Sequence, residues 1–431
     1  MPIINVNRVG GLAPAATDVH AVAGRRVSQV RSAASAVQRA TEMALRAVGD
    51  PLAEIGGISD DDPDAPAAHV LQAALGVLAK DARVHRLIRA ALDATTVTSH
   101  SLTAWEIAHL DAARRWLEGE PRAAARQYER ILERWPRDLL ALRLAQSCYF
   151  FLGEHRKMSE VVDLVAPAWS SSDPAFAYVQ AMSAFARAET GDAETAEALG
   201  RRALSVEPAC PYGVHAVAHA LLERGEHARG AAWMKQQEAH WKNGSRMLAH
   251  NAWHLALFEL ESGNVDAAVE LLDEWLLPHA ADSPLDAADA TGLLWRLETR
   301  GWRARDRWRF LSDCWNATHG CAGHWPYLDL HAAVAFHGAG HHARLQHLTG
   351  QITTCAQGSN AIAMRAREIA LPGLSVVAAF MQGEPFAAEH RERLRARVCE
   401  IGGSRAQLDI FEQMLQSPEE RTGRHRSMCR A

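Results

Sequence analysis

Residues 191–208 read GDAETAEALGRRALSVEP, and this stretch decides the fold. A glycine opens it, alanines stand at 196 and 203, and Pro208 closes it. Glycine takes positive φ without steric cost, so it suits a tight turn between two helices. Ala196 and Ala203 fall where two helices need small residues to approach. The proline ring cannot continue the helix before it. The stretch therefore predicts a turn followed by the second helix of a helical hairpin.

The same punctuation recurs. Gly119, Gly153, Gly191, Gly225 and Gly263 are separated by 34, 38, 34 and 38 residues, each between two amphipathic stretches. Ala124 and Pro136 stand at the same offsets after Gly119, and Ala268 follows Gly263 by the same step. A period of about 34 residues is that of tetratricopeptide hairpins. Two degenerate units are expected around Gly340 and Gly383, the latter with Ala388. No run alternates apolar and polar residues, so strands are not expected. The predicted fold is all-α: a tetratricopeptide-like helical-hairpin solenoid curled around a concave, histidine-lined pocket. It is expected to span residues 28–416 as one domain, irregular over the first ~70 residues, between flexible segments at 1–27 and 417–431. A turn-rich span, His279 to Pro284, separates the regular repeats from a C-terminal helical region.

The bulk properties narrow the function. At 431 residues, 48% hydrophobic and 23% charged, the chain has ample core. A net charge of −5 gives no nucleic-acid footprint. Only Lys80, Lys157, Lys235 and Lys242 are lysines and the other 42 basic residues are arginines, which leaves few candidates for lysine-based covalent catalysis. Seven cysteines without CxxC spacing read as reduced thiols and a cytoplasmic protein. Met1 to Val22 carries Arg8 and Asp18 and no continuous apolar run, so neither a secretory signal nor a membrane span is expected. The acidic stretch Asp60, Asp61, Asp62 and Asp64 lacks the closing glutamate and the glycine of a calcium loop. No Walker loop, GxSxG elbow, HExxH or GxGxxG is present, so no nucleotide cofactor is expected.

The histidines are the strongest chemical signal. His215 and His219 stand four apart in VHAVAH, and His250 and His254 four apart in HNAWH. Residues at that spacing share one helix face. Both pairs fall in the first helix of successive hairpins, offset by three residues relative to their turn glycines. That offset is a rotation of about 60°. Three readings follow: buried histidines bonded to backbone and to Asn251, Glu223 or Glu259; a transition-metal site; or acid–base work on a bound molecule. The metal reading names His215, His219, His250 and His254 as ligands to a first-row transition metal, with Zn, Fe, Co and Mn undistinguished.

A second concentration includes Cys314, His319, Cys321 and His324, whose spacing matches no structural zinc motif, and His341, His342 and His347, expected to decorate an exposed helix start. Asp329 and His331 stand two apart, and a carboxylate near an imidazole can orient it. Arg296 and Arg367 lie in largely apolar helices, as ion-pair partners of Asp289, Glu298 or Glu368 or as anchors for an anionic or carbonyl-bearing ligand. His331, Asp329, Arg296 and Arg367 are the candidate catalytic residues.

VHAVAH, HNAWHLALFELESGNVDAAVELLDEWL, LDAADATGLLWRLETRGW, LDLH, AREIALPG and IGGSRAQLDIF, in this order, resemble the tetratricopeptide repeat protein 38 family and its bacterial relatives over about residues 60–415. The resemblance implies the tetratricopeptide-like fold and a cytosolic protein. Its matching positions are His215, His219, His250, Asn251, His254, Asp289, Arg296, Asp329, His331, Arg367, Gly403, Ser404, Gln407 and Asp409, with His69 and His109. Some bacterial relatives are similar to a tetratricopeptide-type protein of azapteridine (toxoflavin-like) biosynthesis, which implies oxidation of a small heterocycle. The expected function is thus a metal-dependent or cofactor-free acid–base enzyme acting on a small polar molecule, an oxidoreductase of biosynthesis. The alternative is a non-catalytic scaffold that grips a protein partner on the concave tetratricopeptide surface. Neither nucleic acid nor membrane is an expected partner.

Overall fold

A computed structural model describes residues 25–416, apart from 60–61, 63–64, 98–101, 243–245, 321, 385 and 387. The segment expected to be flexible at 1–27 lies outside the described residues except for its last three, which begin helix Arg25–Arg46. The expected tail 417–431 lies outside them, as do Asp60, Asp61 and Asp64 of the acidic stretch. Among the described residues helix follows helix and no strand forms, so the fold is all-α.

The glycine period marks the turns. Phe176–Glu189 and Ala193–Val206 flank Gly191, Pro211–Glu223 and His227–Gln236 flank Gly225, and Leu248–Glu261 precedes Gly263. Gly119, Gly153, Gly191, Gly225, Gly263, Gly340 and Gly383 all have left-handed backbones, with φ between 66 and 87°. Ala124, Ala196, Ala203 and Ala268 are fully buried, as their offsets require. Ala388 departs from the pattern, because it is exposed. Pro208 and Pro136 each follow a helix end, while Pro121, Pro211, Pro284 and Pro326 begin helices, where a missing N–H costs nothing.

One further hairpin lies outside the glycine series. Gly301, with φ 91°, turns Pro284–Thr299 into Arg305–Thr318, so the helical repeat continues past Pro284. The residue five past Gly301 is Asp306, not alanine. Here the close approach is made in reverse. Trp308 is buried, and a Cβ on Gly338 of helix Pro326–Ala339 would lie 2.5 Å from its indole.

The chain divides into two compact units, the first running to Tyr149 and from His155 to Gly263, the second comprising Phe150–Glu154 and the residues from Asn264 on. In the first unit, helix Pro211–Glu223 is buried on every face from Pro211 to Leu221, as is Leu248–Glu261 from Ala249 to Leu260. A helix buried on every face lies in the interior of its unit. Small residues on the outer helices admit them: a Cβ on Gly200 would lie 2.7 Å from Val217, and one on Gly230 only 2.1 Å from the Phe258 ring.

In the second unit, Gly153 requires glycine twice over. Its φ is +74°, and a Cβ would lie 1.9 Å from the Cys399 carbonyl oxygen. Arg365 closes the same junction, its buried guanidinium donating to the carbonyls of Phe151 at 3.0 Å and Glu400 at 2.6 Å. Pro278 and Pro372 lie inside continuous helical runs, each just after a wide turn, Leu272–Leu276 and Ala366–Ala370. Such a turn relieves the clash between a proline ring and the preceding carbonyl. Among the described residues no helix is long and apolar enough to cross a membrane, and the five described cysteines are all free thiols.

Candidate metal centre

Helix geometry brings the two histidine pairs together in the first unit. His215 and His219 project from Pro211–Glu223, and His250 and His254 from Leu248–Glu261. The three-residue offset does not separate them. The His215 ring lies 4.8 Å from His250 and 5.0 Å from His254, and His219 lies 4.5 Å from His254. One ring nitrogen from each of the four lies within 4.8 Å of the others, and among the described residues this is the group of histidine, cysteine and carboxylate side chains suited to holding a metal. All four are buried, none more than 4% exposed. Phe185 packs 5.1 Å from His215 and 5.0 Å from His219, and the Trp253 indole stacks on His250, so the rings sit in an apolar shell.

Not every ring nitrogen of the group has a hydrogen-bond partner among the described residues. His219 Nδ1 donates to Glu189 Oε1 at 2.9 Å, which leaves Nε2 as the nitrogen that faces the other rings. His215 Nε2 lies 3.0 Å from that nitrogen and 2.9 Å from His250 Nε2, and a single N–H on His215 serves one contact well. His215 Nδ1 and both ring nitrogens of His254 have no hydrogen-bond partner among the described residues. A buried polar atom left so costs about 1–3 kcal/mol. Protonation does not resolve this. Burial, and after it the neighbouring imidazoles, hold His215 and His254 well below the usual histidine range. The box is a convergence of imidazole nitrogens, the ligand type that suits first-row transition metals.

Asn251 and Glu259 are among the partners expected for these histidines. Glu259 pairs with Lys235 at 2.6 Å, and the buried Asn251 amide bonds no histidine. The carboxylate that orients the box is Glu189, the last residue of Phe176–Glu189, and sequence reasoning missed it. Its signal was its placement two residues before the turn glycine on the preceding first helix. His155 Nδ1 stands 4.0 Å from its other oxygen.

The four candidate catalytic residues all belong to the second unit, and the structure separates their roles. Asp329 does not orient His331. Its carboxylate accepts from His319 Nε2 at 2.8 Å and from the Gly323 N–H at 3.1 Å, while His331 Nδ1 donates to the Tyr327 carbonyl at 2.7 Å. Two residues apart on a helix, they point in different directions. Arg296 is buried and donates to the carbonyls of Gly292 and Ala406 and to Asp409 at 3.2 Å. Arg367 is exposed, bonded to the carbonyls of Ala356 and Gly358; Arg365, two residues earlier, is the buried arginine of that helix.

The remaining histidines have local roles. His109 is buried and bonds Asp138 at 2.8 Å, and His69 is half-buried on Ala65–Ala79. His342 and His347 are exposed at the start of their helix as expected, and His341 bonds Ser312 at 2.7 Å. Cys321 lies outside the described residues, and His319 of the same motif is engaged with Asp329.

No family model matches the chain. Among solved structures it is similar to a Rap protein complexed with competence and sporulation factor, at 13% identity over 76% of this chain and 96% of that one, TM-score 0.40. It is also similar to the Cut9–Hcn1 hetero-tetramer of APC/C, at 14% identity over 90% of this chain and 74% of that one, TM-score 0.39. A third likeness is to the human IFIT1 dimer with m7Gppp-AAAA, at 14% identity over 84% of this chain and 96% of that one, TM-score 0.36.

Proposed function

We propose that His215, His219, His250 and His254 bind one first-row transition metal ion and that the protein is a metal-dependent enzyme acting on a small polar molecule. The observation that supports this reading is the convergence of four buried imidazoles, one ring nitrogen of each within 4.8 Å of the others. Two of them, His215 and His254, carry buried ring nitrogens with no other partner. Glu189 gives His219 the carboxylate partner that metal-bound histidines characteristically have. Phe185 and Trp253 exclude water from the rings, which strengthens ligand bonds and shields a reactive centre. The chemistry we assign, oxidation of a small heterocycle, comes from the sequence resemblance, and fold alone does not supply it.

Elemental analysis of the purified full chain tests the centre. We expect about one equivalent of a first-row transition metal, lost in His250→Ala and His254→Ala with helical circular dichroism retained. Metal-free protein whose melting ignores added Zn, Co, Mn and Fe(II) refutes the centre. Stoichiometric recovery of a protein partner by such metal-free protein, unchanged in the histidine variants, would establish the scaffold reading instead.

A further inference from the structure

The first unit makes a contact across 197 residues of chain that the hairpin repeat does not require. Helix Arg25–Arg46 and the short helix Pro51–Ile55 are tied together by Arg39, which donates to Glu54 at 2.7 Å. The turn between them, residues 46–49, docks on the two loops that lead into the histidine helices. Arg46 bonds Glu207 at 3.3 Å, shortly before Pro211–Glu223 begins. The Arg246 N–H donates to the Ala47 carbonyl at 2.6 Å, and its guanidinium Nε to the Gly49 carbonyl at 2.7 Å, just before Leu248–Glu261.

The docked turn has a shape that its sequence disfavours. Ala47 stands at φ 55°, a left-handed backbone that is sterically unfavourable for alanine, and it is 1% exposed. Such a conformation persists where the surrounding contacts over-determine it. Here Arg246 supplies them, through its main chain and its side chain together.

The turn covers the end of the helices nearest the histidine box. His250 is the third residue of Leu248–Glu261, and His215 the fifth of Pro211–Glu223. Tyr212 plugs the same end: it is 7% exposed, with the Arg143 guanidinium over its ring at 4.6 Å. Along their lengths both helices are buried on every face. On the side of His219 the box is closed by Glu189, through the bond that orients that ring. An ion held by rings at most 4% exposed enters and leaves through a local opening. The contacts of residues 46–49 can part while the Glu189 bond stays in place, and the Arg46 side chain is already 55% exposed.

We propose that residues 46–49 are a strap across the entry to the histidine box, and that its release from Arg246 sets how fast the box exchanges metal. The strap takes its purpose from the metal reading, whereas closure itself is measurable without metal.

The test uses the full chain and two rates. One is carbethoxylation of the four box histidines by diethyl pyrocarbonate in metal-free protein, read by peptide mass spectrometry. The other is Co(II) uptake by the same protein, read by visible absorption. Arg246→Ala removes the guanidinium bonds and should raise both rates about tenfold, with circular dichroism retained and Co(II) affinity within a few-fold of wild type. Arg46→Ala removes only the exposed pair with Glu207 and should raise them about two- to threefold. It carries the test if Arg246→Ala unfolds, and unchanged labelling in it then overturns the strap. Arg115→Ala breaks a 2.9 Å pair with Asp111 elsewhere in the unit and should change neither rate. A folded Arg246→Ala that is labelled as slowly as wild type, or an equal rise in Arg115→Ala, overturns the strap whether or not metal binds. Faster labelling of Arg246→Ala in a chain that takes up no Co(II) upholds the strap and refutes the metal centre instead.

Discussion

Replacing Glu189 by alanine should weaken metal binding at the four-histidine box about 10–100-fold, the usual cost of losing the outer partner of a metal-bound histidine. The magnitude follows from one bond. Glu189 Oε1 lies 2.9 Å from His219 Nδ1, and the two residues are each 4% exposed. That bond places the ring proton on Nδ1 and leaves the lone pair of Nε2 toward His215, 3.0 Å away. A hydrogen bond to a charged group contributes about 1.5–3 kcal/mol. At about 1.4 kcal/mol per tenfold, this reproduces the same range. Glu189→Gln retains an acceptor without the charge and should fall between wild type and alanine. The assay is Co(II) titration by visible absorption in competition with a chelator, with circular dichroism of each variant. If folded Glu189→Ala binds Co(II) within twofold of wild type while His254→Ala binds none, the carboxylate plays no part in orienting the ligands.

Three further predictions address the fold and its pH response. His331 is lowered from 6.5 to about 4 by burial, so the native state resists its protonation; its contribution is intact above 6.5 and is lost as pH falls through 4. That loss amounts to roughly 3 kcal/mol. His331→Asn should therefore flatten the pH dependence of the urea midpoint between pH 6.5 and about 4, and parallel curves would contradict this. Gly263→Ala meets nothing within 4 Å and should cost only the left-handed backbone penalty, about 1–2 kcal/mol, whereas Gly153→Ala adds a Cβ 1.9 Å from the Cys399 oxygen and should cost at least about 3 kcal/mol. Equal melting temperatures for the two variants would reject the close approach at Gly153. Arg365→Met strips donors from the buried Phe151 and Glu400 carbonyls and should cost about 3–5 kcal/mol, while Arg367→Met, at an exposed site, should stay near 0.5 kcal/mol in chemical denaturation. The reverse order would mean that Arg367 is the structural arginine.

Much of the hairpin architecture was legible because its determinants are local. A glycine at positive φ, a proline at a helix start and an alanine at a helix crossing each act within a turn or two of chain. Gly191, Ala196 and Ala203 could therefore be placed without knowing what they touch. The Gly301 hairpin carries Asp306 at the alanine offset, and its small partner is not on its own second helix. Trp308 is the buried side chain of that helix, and the space for it is provided by Gly338, thirty residues on. An offset rule within one hairpin cannot see that exchange.

The same division runs through the candidate sites. Four-residue spacing alone determined that His215 and His219, and His250 and His254, share helix faces, because that follows from helical pitch. Only the tertiary structure decided that four rings meet within 4.8 Å despite the three-residue offset, and that Glu189, thirty residues before His219, supplies the carboxylate. It also assigned Asp329 to His319 instead of His331, and gave burial to Arg365 instead of Arg367. Periodicity is a property of the backbone and survives any packing arrangement. Partner choice depends on which helices come within hydrogen-bond reach and which groups lose water, and both are settled only when the hairpins pack.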